Sequence, residues 1–328
     1  MKAAWYERQG PADEVLIVGE QPVPEPKPGE VRIKLRYSGI NPGDIKKRQD
    51  AFDYGMPYPL VIPHSDGAGI IDRVGENVAE PRVGERVWCY GAQSYRPFGT
   101  AAEYVVVPSD QAISLPENVS FEQGACLGIP GITAHRAVHI AGDVQGKTVL
   151  VQGGRGAVGQ CAVALAKFAG ANVIATVRSE YDKTIARKAG ADEVIRTDHL
   201  SQDKIIKSVR NAASGDIHHI IEVAFDSNIE IDKDLISTGG SIAAYATANP
   251  EPSIPFWPLL FKNVRLYFLG SDDFPKEAKV AATKEINQAL VSGWKGLEIG
   301  NLYELNTISE AHKAIENGFN KGQVILKV

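Results

Sequence analysis

Hydrophobic and polar residues alternate strictly over 31–36, with Val31, Ile33 and Leu35 set against Arg32, Lys34 and Arg36. A period of two puts the apolar set on one face, which marks a half-buried antiparallel strand. Runs at 67–75, 86–90 and 103–108, set among Pro and Gly, predict further short strands. Pro22, Pro24, Pro26 and Pro28 predict a stiff, extended surface connector. The first 120 residues thus predict an irregular β-barrel.

Near residue 120 the period changes. Helical spacing runs over 121–141, interrupted by Gly-Ile-Pro-Gly at 128–131. The apolar run Val149-Leu-Val151 then predicts a buried strand, and an Ala-rich helix over 157–169 stops at Gly170. Strand 173–177, helix 181–189, short strand 193–195 and helix 201–212 follow, then strands at 220–223 and 241–245. Pro250 to Pro258 breaks the alternation, 264–270 predicts a last strand and 275–292 an amphipathic helix. Strand–helix alternation of this kind belongs to a doubly wound parallel sheet with helices on both faces. The closing stretch 324–328 is strand-like and is expected to return to the first domain. The fold class is α/β, a β-barrel domain plus a parallel-sheet domain.

Gly154, Gly156 and Gly159 stand in G-x-G-x-x-G spacing between the first of these strands and its helix, with Ala157 and Val158 opening the helix. Glycine lets the backbone turn tightly and approach a pyrophosphate, while the helix N-terminus aims unpaired N–H groups at the anion. The spacing is weak evidence alone and much stronger with a strand before it and a helix after it. At the end of the second strand an NAD-selective fold carries Asp or Glu for the ribose hydroxyls. Here Arg178 and Ser179 stand there, with Lys183 five residues beyond Arg178. A guanidinium and a hydroxyl suit a 2′-phosphate and so NADPH; the alternative is a solvated surface arginine. Arg155, inside the turn, is open between the phosphates and solvent.

Composition narrows the rest. The net charge is −5 with no long basic run, which argues against nucleic acid as partner. The start MKAAWYERQGPADEV has no apolar stretch of signal-peptide or membrane-span length. Cys89, Cys126 and Cys161 are far apart and form no C-x-x-C pair, so a reduced cytoplasm is the expected home. His135 and His139 have the spacing of H-E-x-x-H, but Arg136 takes the place of Glu. They read as ordinary helix residues.

Gly39-Ile-Asn-Pro-Gly-Asp44, Ser65-Asp-Gly-Ala-Gly69, Ala102-Glu-Tyr104, Gly128-Ile-Pro-Gly-Ile-Thr-Ala134 and the glycine turn occur in that order. Together they resemble the medium-chain dehydrogenase/reductase superfamily, and within it the zinc-independent NADPH:quinone oxidoreductases of the zeta-crystallin-like branch. The resemblance implies a GroES-like catalytic domain at 1–121, a Rossmann NADPH-binding domain at 122–265 and a C-terminal return at 266–328, with the active cleft between domains. It places Asn41, Ser65 and Ile129 where zinc-dependent members hold Cys, His and Cys, so no metal is expected. His64 is expected as a cleft-wall or hydrogen-bonded histidine. Asn41 and Thr133 would touch the nicotinamide half, and the strand ends Ala224-Phe225, Tyr245-Ala246 and Phe268-Leu269 would present backbone groups to it. Tyr245 replaces a common Gly; Gln323 replaces a family Lys, with Lys321 two residues earlier. Lys46 and Tyr54 are the candidate proton donors, with bulk water as the alternative.

The implied activity is hydride transfer from NADPH to a quinone. A 2-alkenal or enoyl reductase uses the same apparatus, and a non-catalytic NADPH-binding protein is a third reading. The implied partners are a small conjugated carbonyl and a second copy of the chain in a homodimer.

Overall fold

The alternation at 31–36 becomes the strand Glu30–Gly39 of the computed structural model, which describes residues 1–318 and 322–328. Val31, Ile33 and Leu35 are buried in one core with Ile71, Val87, Val105 and Val107. Burial of each such side chain contributes about 1.5–3 kcal/mol. One edge of Glu30–Gly39 pairs antiparallel with Asp66–Val74. The other is shared by Tyr104–Pro108, opposite residues 30–34, and by Gln323–Lys327, opposite residues 37–39. The sheet runs Ile299–Glu304, Gln323–Lys327, Glu30–Gly39, Asp66–Val74, Arg86–Cys89, Ala112–Ser114. Residues 21–29, which hold Pro22, Pro24, Pro26 and Pro28, carry no helix or strand.

The chain divides into two compact units, Met1–Pro130 with Gly296–Val328, and Gly131–Lys295. The divisions fall after 130 and after 295, against expected boundaries of 121 and 265. Arg265–Phe268 is bonded to Ile236–Ala244 in the parallel sheet, and Lys276–Val291 packs on Ala157–Phe168, which holds both elements in the second unit.

That unit begins within helix α1 (Gly128–His139). Gly-Ile-Pro-Gly forms the first turn of this helix rather than an interruption, and the break falls just before it. Pro130 is third in the helix, where an N–H would have no intrahelical acceptor anyway. The strands are β1 (Thr148–Val151), β2 (Asn172–Val177), β3 (Glu193–Arg196), β4 (Ile217–Glu222), β5 (Ile236–Ala244) and β6 (Arg265–Phe268). All pair in parallel in the order β3-β2-β1-β4-β5-β6. This is the dinucleotide-binding order, in which strand order reverses between β1 and β4. The helices are α2 (Ala157–Phe168), α3 (Glu180–Ala189), α4 (Gln202–Ala213), α5 (Phe225–Leu235), α6 (Phe256–Phe261) and α7 (Lys276–Val291). Sequence periodicity missed α5, α6, the strand Ile299–Glu304 and the helix Ile308–Glu316. Among the described residues no helix is long and apolar enough to cross a membrane.

Candidate active site

Between β1 and α2 the chain turns through Gly153, whose φ of +70° lies in the left-handed region open to glycine. Gly154 N donates to Thr176 O at 2.9 Å, and Gly153 N to Thr176 Oγ1 at 3.1 Å, pinning the turn to β2. A Cβ on Gly159 would overlap the Gly153 carbonyl, whereas one on Gly156 would meet nothing nearer than 3.6 Å. Gly159 thus closes helix on turn, and Gly156 leaves an open face. The first intrahelical donor of α2 is Gln160 N, bonded to Gly156 O at 2.8 Å. The N–H groups of Ala157, Val158 and Gly159 precede it, where a helix start offers them to an anion. These features fit a pyrophosphate.

Beneath the turn runs a buried polar network. Thr176 Oγ1 donates to Gln152 Oε1 at 2.6 Å, and Gln152 Nε2 donates to Asp232 Oδ1 at 2.9 Å. Asp232 and Glu222 are wholly buried. Burial, then the neighbouring Glu222 charge, pushes Asp232 well above the usual carboxylate range and keeps it protonated. Glu222, also raised by burial, accepts from Ala224 N and from Asn228 Nδ2.

At the end of β2, Val177-Arg-Ser carries no carboxylate, and Arg178 is exposed without an ion-pair partner among the described residues. Ser179 caps α3, its Oγ accepting from Asp182 N at 3.1 Å. Lys183 Nζ lies 3.8 Å from Glu180 Oε1. Arg155 is partly exposed and paired, its Nε 3.1 Å from Asp182 Oδ1. The strand ends are tied into the sheet. Phe225 is a core side chain, edge-on to Phe268 with ring centroids 5.4 Å apart. The N–H groups of Phe225, Tyr245 and Leu269 are spent on Ala246 O, Glu222 O and Ala244 O. Thr133 is buried in α1, and Phe268 is largely exposed on the edge strand. Lys321 lies outside the described residues.

In the first unit, one carboxylate joins two of the three positions that the resemblance aligns with zinc ligands. Asp66 Oδ2 accepts from Asn41 Nδ2 at 2.7 Å, and both Asp66 oxygens lie 2.9 Å from Ile129 N. Gly128 is required beside it, because a Cβ there would overlap the carboxylate. Asn41 N is held by Asp44 Oδ2 at 2.8 Å at the start of the helix Pro42–Arg48. An amide, a hydroxyl and an alkyl group at 41, 65 and 129 do not fit Zn²⁺, which takes thiolate, imidazole or carboxylate. Lys46 and Tyr54 come together, but on the surface. Tyr54 is 71% exposed and stacks on Phe52, and Lys46 Nζ lies 5.8 Å from the same ring.

His64, fully buried and strained at φ +75°, is a hydrogen-bonded histidine in a longer chain. Arg48 Nε donates to His312 Nδ1 at 3.2 Å, and His312 Nε2 is 2.9 Å from His64 Nε2. His64 Nδ1 is 2.9 Å from Ser38 Oγ, which is 2.7 Å from Thr100 Oγ1. Thr100 Oγ1 donates to Asp66 O at 2.6 Å. Arginine only donates, so every proton downstream points the same way. His312 gives Nε2–H to His64, His64 gives Nδ1–H to Ser38, and Ser38 gives its hydroxyl proton to Thr100. Burial lowers His64 to about 3, and burial, with the repulsion that a charge on it would meet from a protonated His64 and from Arg48, lowers His312 well below its usual range. Both rings are neutral. The chain fixes the Asp66 peptide, and Asp66 fixes Asn41 and Ile129.

Residues 27–117 match the alcohol dehydrogenase GroES-like domain family, and residues 157–283 the zinc-binding dehydrogenase family. The quinone oxidoreductase of Mus musculus is 33% identical over 98% of this chain and 96% of its own. The trans-enoyl reductase tndF of Aspergillus flavipes is 29% identical over 92% of this chain and 88% of its own. A crystal structure described as an NAD-dependent alcohol dehydrogenase superposes with a TM-score of 0.87 at 26% identity, covering 100% of both chains.

Proposed function

Because the chain belongs to the quinone oxidoreductase branch of the medium-chain dehydrogenase/reductase superfamily, we propose that it is a zinc-independent, NADPH-dependent quinone reductase working as a homodimer. The observation that carries this reading is that Asp66 ties Asn41 and Ile129 together, at two of the three positions (41, 65 and 129) that the resemblance aligns with metal ligands. Alcohol oxidation must stabilise alkoxide character, a task that zinc performs by lowering the pKa of a bound oxygen. Nothing at 41, 65 or 129 replaces it. A quinone spreads the incoming charge over its own ring and needs mainly positioning.

The cofactor, when bound, supplies the hydride. The residues hold it. Gly156 and the N-terminus of α2 take the pyrophosphate, and Arg178 takes the 2′-phosphate. Asp66 keeps Asn41 in one orientation through its 2.7 Å bond, so the amide is set before the acceptor arrives. Lys46 and Tyr54 stack at the surface on Phe52, which supports solvent as the source of the proton that completes the quinol. A conjugated enone delocalises charge in the same way. The similarity to a trans-enoyl reductase favours enal or enone reduction as the second reading.

The test follows NADPH absorbance with ortho- and para-quinones and a 2-alkenal, and NADP⁺ with simple alcohols. Quinones are expected fastest, enals slower and alcohols essentially unused. Brisk alcohol turnover without quinone reduction overturns the mechanism, and enals far ahead of quinones move the assignment to the second reading. In parallel, Arg178→Asp should lower NADPH affinity by about one to two decades and leave NADH affinity nearly unchanged. A charge-assisted bond is worth about 1.5–3 kcal/mol. Equal wild-type affinity for both cofactors would remove NADPH selectivity.

A further inference from the structure

Helix α1 carries two histidines one turn apart, and α7 carries a carboxylate facing them. His135 Nε2 lies 3.5 Å from Glu285 Oε2, and His139 Nε2 lies 3.1 Å from Glu285 Oε1. The two rings are 4.6 Å apart between centroids. One donor atom from each residue falls within 4.8 Å of the other two, the only such trio of His, Cys, Asp or Glu side chains among the described residues. All three belong to the second unit.

These separations are those of a metal's ligand edges. Zinc bonds nitrogen and carboxylate oxygen at about 2.0–2.2 Å, and a tetrahedron of that size sets neighbouring donors about 3.3–3.6 Å apart. The two N···O distances, 3.5 and 3.1 Å, lie on or near that range and fall on different carboxylate oxygens, so the Glu285 carboxylate turns one oxygen, or both, to the ion. An i, i+4 pair projects both imidazoles from one helix face, and a carboxylate from a second helix completes a facial trio. His135 is buried, whereas His139 and Glu285 are about a quarter exposed. A water can therefore reach the fourth position. Two imidazoles and a carboxylate suit zinc-class divalent ions and hold Mg²⁺ or Ca²⁺ poorly.

We propose that His135, His139 and Glu285 form a site for a zinc-class divalent cation that clamps α1 to α7. It is separate from positions 41, 65 and 129, and no hydride chemistry passes through it. An ion that binds only the folded state raises stability by mass action, so its signature is thermal rather than catalytic.

The experiment titrates the chelator-stripped full chain with Co²⁺, read by visible absorption, and with Zn²⁺, read by calorimetry and thermal unfolding. One ion per chain is expected, with a tetrahedral cobalt spectrum and a thermal midpoint that rises with zinc. His139→Ala and Glu285→Gln should each weaken binding roughly tenfold or more and abolish the zinc-dependent thermal shift. His139→Cys should keep the ion and add a thiolate-to-cobalt charge-transfer band, a gain that misfolding does not mimic. Asn41→Ala should bind as wild type, and chelation should leave quinone turnover unchanged. No binding to the wild type at about 100 μM metal, or unaltered spectra and stoichiometry in both the Ala and Gln variants, overturns the site. Loss of binding in Asn41→Ala alone would place the ion at the 41/65/129 positions instead.

Discussion

Asp232 shows what one buried side chain asks of its surroundings. Its raised pKa means that the folded protein holds a proton which an unfolded aspartate, with a pKa of about 3.9, releases. Its contribution to stability is therefore fully present below about pH 4 and is lost as pH rises towards the folded value. Asp232→Asn keeps an acceptor for Gln152, supplies N–H to Glu222 and has no proton to lose. The variant should unfold with a flatter pH dependence and be the more stable protein at pH 8, measured by urea titration from pH 4.5 to 8.5. Curves that merely run parallel to wild type would show that the proton resides elsewhere. Residues beside a motif were legible in the sequence. Arg178 follows a strand end, and Asn41 sits in Gly-Ile-Asn-Pro. The role of Asp66, inside Ser-Asp-Gly-Ala-Gly, has no local signal, because its partners lie 25 and 63 residues away. His64 meets His312 across 248 residues, a separation no local pattern encodes.

Among elements, the junction of β1 and α2 has the tightest tolerance. In an exposed helix interior, Gly→Ala gains about 1 kcal/mol. At Gly159 the sign reverses, because the new methyl would overlap the Gly153 carbonyl. Gly159→Ala should lose roughly tenfold or more in NADPH affinity together with thermal stability. Gly43→Ala, in the helix Pro42–Arg48 with nothing within 4 Å of its Cβ, should be neutral or stabilising. Cofactor titration and thermal scans of the pair check this, and equal behaviour would mean that the turn has room to relax. Strongly periodic segments were legible as elements. Ile299–Glu304 was not, since it is an edge strand with most of its residues exposed and no alternation to read. Helix α5 opens Phe-Asp-Ser-Asn, a turn-like composition that packing of Phe225, Ile229 and Leu235 overrides.

For the whole molecule, the edge of the parallel sheet calls for a partner. Among the described residues strand β6 has a neighbour on one side only, and Phe268 on it is 64% exposed. Next to it α6 exposes Phe256, Trp257, Leu260 and Phe261. So much apolar surface beside an open strand edge supports the proposed homodimer. Light scattering should give twice the chain mass for the wild type, and Trp257→Glu with Phe261→Glu should reduce it to the chain mass with the cofactor still bound. A wild type that stays at the chain mass at every concentration refutes the homodimer. The two-domain plan was legible because the hydrophobic period changes from two to the helical spacing near residue 120. The second boundary was not, because β6 and α7 continue the parallel unit past the Pro250–Pro258 interruption.

The strand Glu30–Gly39 finally sets a timetable. Tyr37 faces Lys327, and the whole of Gly131–Lys295 comes between them in the chain. At about 5–20 residues per second, a ribosome needs on the order of 15–60 s to travel from one strand to the other. Over that interval the parallel-sheet unit, one unbroken segment, is synthesised in full, while residues 37–39 wait with bare N–H and C=O groups. Until Gln323–Lys327 emerges this edge is open to wrong pairing, and it is here that a chaperone would have something to protect.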